Sequence, residues 1–136
     1  MHEQFEHTAD LGLRVVASNL DQLFAEAGEC LFTAIVDDPS AIRERDEFAI
    51  AIEGTDRAYL LFDWLNELLL RFDRDGMLFA RFDTNVRDDG LSARIGGEPF
   101  DPTRHALLRE VKAITYHDLI VEESAAGWLA EVIVDI

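Results

Sequence analysis

The sequence predicts a single α+β domain, spanning residues 1–136, in which two helices pack against a mainly antiparallel sheet. Two long segments repeat apolar residues at intervals of three and four, as amphipathic helices do. Several short segments alternate apolar and polar residues, as strands do. The order strand, helix, strands occurs twice, and no long linker or low-complexity tract interrupts it, so one core is expected.

The N-terminal segment predicts two short strands. Phe5 lies in the first, and residues 11–17 form the second, in which every second residue is apolar. The polar sequence His7-Thr8-Ala9-Asp10 separates them. We therefore expect a break in the chain at residues 7–10.

The first helix is predicted from apolar residues at helical spacing, which are Leu20, Leu23, Phe24, Ala27, Leu31, Ala34 and Ile35. Ser18 and Asp21 are spaced as a capping pair before it. The sequence Asp37-Asp38-Pro39-Ser40 ends the helix, because proline cannot continue one. A strand at residues 48–52 follows a polar connection.

The second helix is predicted over residues 57–72, after a turn at Gly54-Thr55-Asp56. It is apolar on nearly all sides, so we expect a sheet, another helix or a partner to cover more than one of its faces. The sequence Arg74-Asp75-Gly76 ends it.

A hairpin is predicted after the second helix. Residues 77–82 form a strand, Asp88-Asp89-Gly90 turns the chain, and residues 91–95 return antiparallel. Two glycines and two prolines within residues 96–102 predict an irregular loop there. A short helical turn is expected at residues 103–105.

The last third of the chain predicts two more strands. The first spans residues 110–119, where β-branched and aromatic residues alternate with others. The second spans residues 128–136, after a loop at residues 124–127.

The chain is strongly acidic, with 28 acidic and 12 basic residues and a net charge of −16. This charge argues against direct nucleic acid binding, whose affinity comes from basic residues on phosphates. It favours a basic protein partner or a metal cation, or serves only solubility. Cys30 is the single cysteine, which fits a reducing compartment. Without a signal sequence or a membrane-spanning apolar run, we expect a cytoplasmic protein with no membrane partner.

Carboxylates at the two ends of the chain form one candidate site. Asp10 either caps a turn or projects toward a cation. Asp135 precedes Ile136, whose terminal carboxylate ends a segment that is apolar like core sequence. If the first and last strands are neighbours, the three groups form an all-oxygen site suited to Ca²⁺ or Mg²⁺, and not to zinc.

Lys112 is the single lysine of the chain and lies among apolar residues of a predicted strand. A lysine in that position needs a counter-charge or a ligand, because burying an unpaired ammonium is costly. The alternatives are an ion pair across the sheet, a catalytic amine, or a contact to a partner's acidic group or phosphate.

Tyr116, His117 and Asp118 lie near Lys112 in sequence, and Asp101 and His105 come from the preceding loop. His117 and Asp118 are not expected to form an acid–base dyad, because successive residues of a strand point to opposite faces. No nucleophile elbow, phosphate loop or dinucleotide fingerprint is present in the sequence.

Five sequence blocks, distributed in order from residue 7 to residue 136, together resemble the archease family. They are His7-Thr8-Ala9-Asp10, Trp64-Leu65-Asn66-Glu67-Leu68-Leu69, Gly97-Glu98-Pro99-Phe100-Asp101, Glu110-Val111-Lys112-Ala113-Ile114-Thr115-Tyr116-His117 and Val134-Asp135-Ile136. The resemblance implies the archease fold. It also implies a non-catalytic activator of the tRNA-splicing RNA ligase, which promotes GTP-dependent guanylylation of the ligase and multiple turnover in tRNA splicing or RNA repair.

The same resemblance implies roles for individual residues. Asp10, Asp135 and Ile136 match the family's metal ligands, with calcium the expected ion. Lys112 matches a lysine implicated in activation, and Tyr116 and His117 are further activation candidates. Two other functions stay open: a stand-alone metal-dependent phosphoester hydrolase with His117 or His7 as base, and a chaperone-like binding protein.

Overall fold

The computed structural model of the chain describes residues 1–7 and 10–136, with the side chains of residues 6 and 7 left out. Eight strands and two α-helices are formed in this part of the chain. In chain order they are β1 (His2–His7), β2 (Asp10–Ala17), α1 (Leu20–Ile35), β3 (Asp46–Glu53), α2 (Arg57–Asp75), β4 (Met77–Arg87), β5 (Gly90–Pro99), β6 (Ala113–Ile114), β7 (Ile120–Ser124) and β8 (Gly127–Asp135). A short 3₁₀-helix spans Pro39–Ala41.

The strands form two antiparallel sheets, which confirms the predicted α+β class. One sheet has the order β1-β2-β8-β6, with β7 also paired to β8, and the other has the order β3-β5-β4. Helix α1 packs against β2 of the first sheet and β4 of the second, and so joins them. The terminal part of the chain, β8, therefore lies at the centre of the first sheet.

Both helices begin and end at residues that satisfy their free backbone groups. The Asn19 side chain accepts a hydrogen bond from the backbone N–H of Gln22 at the start of α1, so the predicted capping pair of Ser18 and Asp21 is wrong. Helix α2 is capped by Asp56 and runs to Asp75, three residues beyond the predicted end. Gly76 ends it with a φ of 69°, which glycine adopts without steric cost.

Helix α2 is covered on more than one side, as predicted. Trp64 is completely buried, and its indole N–H donates to the carbonyl of Phe24 in α1 at 2.9 Å. The exposed residues Tyr59, Asp63, Asn66 and Leu70 form one outer row. No helix of the described residues is long and apolar enough to span a membrane.

The segment predicted as an irregular loop over residues 96–102 instead continues strand β5 as far as Pro99. A β-bulge in β4 at Phe79–Arg81 faces it. A Cβ atom on Gly97 would lie 1.8 Å from the Leu78 carbonyl oxygen, so only glycine permits this approach of the two backbones. The glycines thus serve close strand packing.

The predicted strand over residues 110–119 is also largely wrong. Only Ala113–Ile114 pair as a strand, and the chain then turns, with the backbone N–H of Leu119 donating to the carbonyl of Tyr116 at 3.2 Å. Strand β7 follows, which the sequence analysis missed. The reason is that this segment packs through side chains on α2 and pairs with β8 over two residues only.

Candidate functional site

Strands β2 and β8 bring two of the three predicted metal ligands together, and β6 lies beside them. In the β2–β8 pair Asp10 lies directly opposite Asp135, and in the β6–β8 pair Ala113 lies on the other side of Asp135. The backbone N–H of Lys112 donates to the carbonyl of Asp135 at 2.7 Å. The two ends of the described fold therefore meet, with Ile136 one residue beyond the pair.

The two carboxylates lie on the outer face of the sheet. The next residues along the strands, Leu11, Val134 and Ile114, are buried on the core side. Because successive residues of a strand alternate between faces, Asp10 and Asp135 point away from the core. Asp10 is half-buried and Asp135 is exposed.

Directly opposed carboxylates repel each other, and their Cβ atoms in such pairs are about 5 Å apart. A hard cation that accepts oxygen ligands relieves this repulsion, so the donor chemistry of Asp10 and Asp135 fits a divalent ion. Within residues 1–7 and 10–136, however, no group of three or more His, Cys, Asp or Glu side chains is placed to hold a metal. The terminal carboxylate of Ile136, which is not one of these side chains, is the third ligand that the sequence suggested.

Lys112 is exposed and lies outside any strand, so the predicted apolar setting is wrong. Its backbone is nevertheless fixed beside Asp135. Among the described residues, none of the ion pairs includes Lys112. The ion pair across the sheet that the sequence left open is therefore not formed there, and the side chain is exposed to solvent.

Tyr116 belongs to an exposed aromatic cluster on α2. Its ring stacks on Phe62, with centroids 3.9 Å apart, and meets the edge of Tyr59 at 5.3 Å. Tyr116 and Tyr59 are 55% and 56% exposed, so both rings present a free face. The position of Tyr116 is fixed by this packing and by the turn that follows it.

His117 and Asp118 do interact, contrary to the prediction from strand geometry. The His117 Nε2 atom lies 3.3 Å from Asp118 Oδ2. Asp118 has a φ of 54°, a left-handed conformation that aspartate tolerates better than most residues, so the chain turns here and both side chains point the same way. Both side chains are well exposed.

The predicted break at residues 7–10 lies partly outside the described residues. Thr8, Ala9 and the side chain of His7 are outside the described residues. The backbone of His7 pairs with Asp10 in the β1–β2 hairpin.

His105, which the sequence grouped with Lys112, instead lies in a buried cluster around Glu98, and the partly exposed Asp101 borders this cluster through Arg104. Glu98 is 1% exposed, and its carboxylate accepts hydrogen bonds from the Arg104 guanidinium and, at 2.7 Å, from the backbone N–H of Arg43. The backbone N–H of Asp101 donates to His105 Nδ1 at 2.9 Å, so His105 Nε2 carries the proton that it shares with Glu98 Oε2 at 3.0 Å.

These donors hold the pKa of Glu98 at about 2, with the Arg104 hydrogen bond as the largest cause. The cluster ties β5 to the connection before β3 and to the turn at residues 101–105. We assign it to structure, because each oxygen of Glu98 has donors within the fold. The sequence signal that could have revealed this cluster is Glu98 itself, a charged residue between Gly97 and Pro99 in a segment otherwise suited to close packing.

Comparisons with known proteins agree on one family. Residues 2–136 match the model of the "Archease protein family (MTH1598/TM1083)". The chain is 42% identical to Protein archease of Methanopyrus kandleri, over 98% of each chain, and 39% identical to Protein archease of Pyrococcus furiosus, over 98% of this chain and 97% of the relative. The solution structure of Methanobacterium thermoautotrophicum protein 1598 is similar with a TM-score of 0.77 and 31% identity, over 99% and 98% of the two chains.

Proposed function

The chain belongs to the archease family, and from that premise we propose that it activates a tRNA-splicing RNA ligase without being the catalyst. In this proposal it promotes the transfer of GMP from GTP to a histidine of the ligase, with release of pyrophosphate. The single observation that carries the proposal is the register that sets Asp10 opposite Asp135, with the backbone of Lys112 bonded to Asp135.

Asp10, Asp135 and the terminal carboxylate of Ile136 would hold a divalent cation, with calcium as the proposed ion. Such an ion neutralises opposed carboxylates and offers a positive charge to phosphate oxygens. The donor set supports this, because oxygen ligands suit hard cations. Because β2 and β8 pair at Asp10 and Asp135, an ion in this proposal would bind without rearrangement of the backbone.

Lys112 would supply a mobile positive charge beside the carboxylates. Its ammonium lies in solvent while its backbone is anchored to β8, which lets the side chain reach a phosphate or an acidic group of a partner. The chain as a whole carries a net charge of −16, which favours approach to a basic nucleotide-binding cleft.

The test is a guanylylation assay with purified ligase and GTP labelled at the α-phosphate. We expect Asp10→Ala, Asp135→Ala and Lys112→Ala to abolish most of the stimulation of ligase–GMP formation. Glu53→Ala removes an exposed carboxylate at the far end of β3 and serves as the matched control. Undiminished stimulation by all three site variants would remove the proposed site.

A second test extends the chain after Ile136 by a few residues. If the terminal carboxylate is a ligand, the extension weakens Ca²⁺ uptake by the isolated protein, measured by calorimetry, together with stimulation of the ligase. An extended chain that takes up Ca²⁺ like the original excludes Ile136 as a ligand. The same preparations, incubated alone with phosphoester substrates, test the hydrolase alternative.

A further inference from the structure

Strand β3 forms one edge of the three-stranded sheet. Its register with β5 runs without a bulge from Asp46 to Glu53, and one step further the backbone N–H of Gly54 donates to the carbonyl of Asp89 at 3.0 Å. Because the backbone groups of a strand alternate between its two sides, every second residue back from Gly54 also faces β5, and the residues between them face outward. The outward-facing residues in the middle of β3 are Glu47, Ala49 and Ala51.

The edge formed by these three residues is open. Outside the β3–β5 pair, no backbone hydrogen bond within residues 1–7 and 10–136 involves them, and all three are exposed. Proteins commonly protect an edge strand from further pairing with a lysine, a proline or a bulge. Strand β3 contains none of these, so its backbone is available to another strand.

The opposite edge of the same sheet, β4, is covered. The backbone N–H of Val86 donates to the carboxylate of Asp21 in α1 at 2.7 Å, and the hydroxyl of Thr84 donates to the Asp21 carbonyl. Helix α1 packs along β4. The fold therefore protects one edge of this sheet and leaves the other open.

We propose that a second copy of this chain pairs with β3. Residues 46–52 of the two copies would form an antiparallel pair centred on Ala49, which joins the two three-stranded sheets into one sheet of six strands. Glu47 then lies opposite Ala51 of the second copy, and Phe48 lies opposite Ile50. Each outward-facing residue exchanges two backbone hydrogen bonds with the residue opposite it, about six bonds in total. Such a pair is closed by its two-fold symmetry, so it stops at two copies.

The side chains of β3 suit pairing with the same strand. On the outer face the centre of the edge carries only alanines, so two backbones can approach without steric conflict. On the inner face Phe48 is half-buried against the core, and a second copy would cover more of it. A pair centred on Ile50 would instead set Glu47 opposite Glu53, and like charges that face each other destabilise a strand pair. The register about Ala49 avoids this repulsion.

Ion pairs within each chain make the surroundings of this edge nearly neutral, although the whole chain has a net charge of −16. Residues 46–53 and 77–97 contain six acidic side chains, and among the described residues five of them pair with arginine. The pairs are Arg45–Asp46, Arg94–Glu47, Arg81–Asp83, Arg57–Asp88 and Arg87–Asp89.

Two carboxylates near the edge are outside these pairs. Glu53 lies at the end of β3, beyond the proposed pairing, and Glu44 precedes the strand and is within electrostatic range of Arg81. Repulsion between two copies is therefore small here, and neither a strongly basic nor a strongly acidic partner is favoured over a second copy. The pairing is independent of the proposed function, because Asp10 and Asp135 belong to the other sheet.

Sedimentation equilibrium of the full-length chain tests the dimer. A single strand pair is a small and weak interface, so the protein is followed up to about 1 mM, where a dimer with a dissociation constant of about 0.1 mM is mostly formed. We expect the average mass to rise from 15.4 kDa toward twice that value. A mass that stays at 15.4 kDa throughout, or one that rises beyond two chains, overturns the inference.

Two lysine substitutions separate pairing through the edge from stacking through the sheet face. Ala49→Lys sets like charges opposite each other at the centre of the pair, so the dimer should weaken at least about 10-fold. Asn85→Lys is the matched control, because Asn85 is exposed on the same outer face but lies on β4. It should stay within about 2-fold of the original chain. Equal effects of the two substitutions, in variants whose circular dichroism is unchanged, overturn the edge pairing.

Cysteine cross-linking tests the register. The Cα atoms of residue 49 in the two copies would be about 5.5 Å apart, within the range that a disulfide spans. Ala49→Cys should therefore form a covalent dimer on mild oxidation, whereas Ala51→Cys should not, because its two copies would lie about 14 Å apart. The original chain is the blank, since Cys30 is completely buried. A covalent dimer that fails to form from Ala49→Cys, or forms equally from Ala51→Cys, overturns the proposed pairing.

Discussion

Two groups of carboxylates in this chain have opposite surroundings. Glu98 is 1% exposed, and its oxygens accept hydrogen bonds from Arg104, His105 and a backbone N–H. Asp10 and Asp135 oppose each other on an outer sheet face, and within the described residues neither has an ion-pair partner. A carboxylate whose donors are all internal stabilises the fold. A pair that repels is available to an external cation or partner.

The largest effect is expected from removing the charge of Glu98. In Glu98→Gln, an amide nitrogen replaces an oxygen that accepts a hydrogen bond, so at least one donor among Arg43, Arg104 and His105 loses its partner. Breaking a buried, hydrogen-bonded charge cluster costs about 3 kcal/mol of unfolding free energy. Urea unfolding at pH 7 measures this loss of unfolding free energy, and a loss below about 1 kcal/mol would contradict the structural role of Glu98.

Lowering the pH tests the stabilising role of the Glu98 carboxylate. The pKa of Glu98 is about 2 in the fold and 4.5 ordinarily. A depressed pKa stabilises the fold above the ordinary value, and this stabilisation is lost as the pH falls from about 4.5 toward about 2. The difference in unfolding free energy between the original chain and Glu98→Gln should therefore shrink across that interval by about 3 kcal/mol.

Cation binding should stabilise the fold through Asp10 and Asp135 and not through Glu98. If Asp10 and Asp135 hold calcium, the original chain gains about 2.7 kcal/mol of unfolding free energy at 100 times the dissociation constant. Thermal unfolding with Ca²⁺ and with EDTA measures this gain. Asp135→Asn should lose it, whereas Glu53→Ala should keep it. Equal responses of the two variants would show that calcium binds elsewhere.

The smallest effect is expected without any cation. Asp135→Asn then removes repulsion from Asp10, so the unfolding free energy should rise by a few tenths of a kcal/mol, and at most about 1 kcal/mol. This sign is opposite to that of Glu98→Gln. Urea unfolding of both variants in EDTA makes the comparison, and a clear loss for Asp135→Asn would assign that carboxylate a structural role as well.

Local pattern predicted much of the fold. Helix α1 was predicted in its observed place, although its capping residue was not, because its apolar spacing and the Asp37-Asp38-Pro39-Ser40 stop are local in sequence. The β4–β5 hairpin was predicted for a similar reason, since turn residues and alternation are local. The strand at residues 110–119 was wrong because α2 holds that segment through Tyr116, and composition alone does not show which element a segment packs against.

In the candidate site, too, some residues were predicted from the sequence and some contacts were not. The sequence singled out Asp10, Asp135, Ile136 and Lys112. The contact between His117 and Asp118 was missed because it depends on a left-handed turn at Asp118. Glu98 was missed because its burial depends on donors from three separate segments.

The sequence by itself determined the fold class, the acidity, the helices and the identity of the carboxylates and the lysine at the candidate site. Tertiary structure alone decided that β8 lies between β2 and β6, which sets Asp10 opposite Asp135, and that Glu98 is enclosed while Lys112 is exposed. Helical and strand periodicities are fixed by neighbours a few residues apart, so they can be read along the chain. Strand pairing and burial depend on which distant segments share the core, and that is settled only when the whole chain packs.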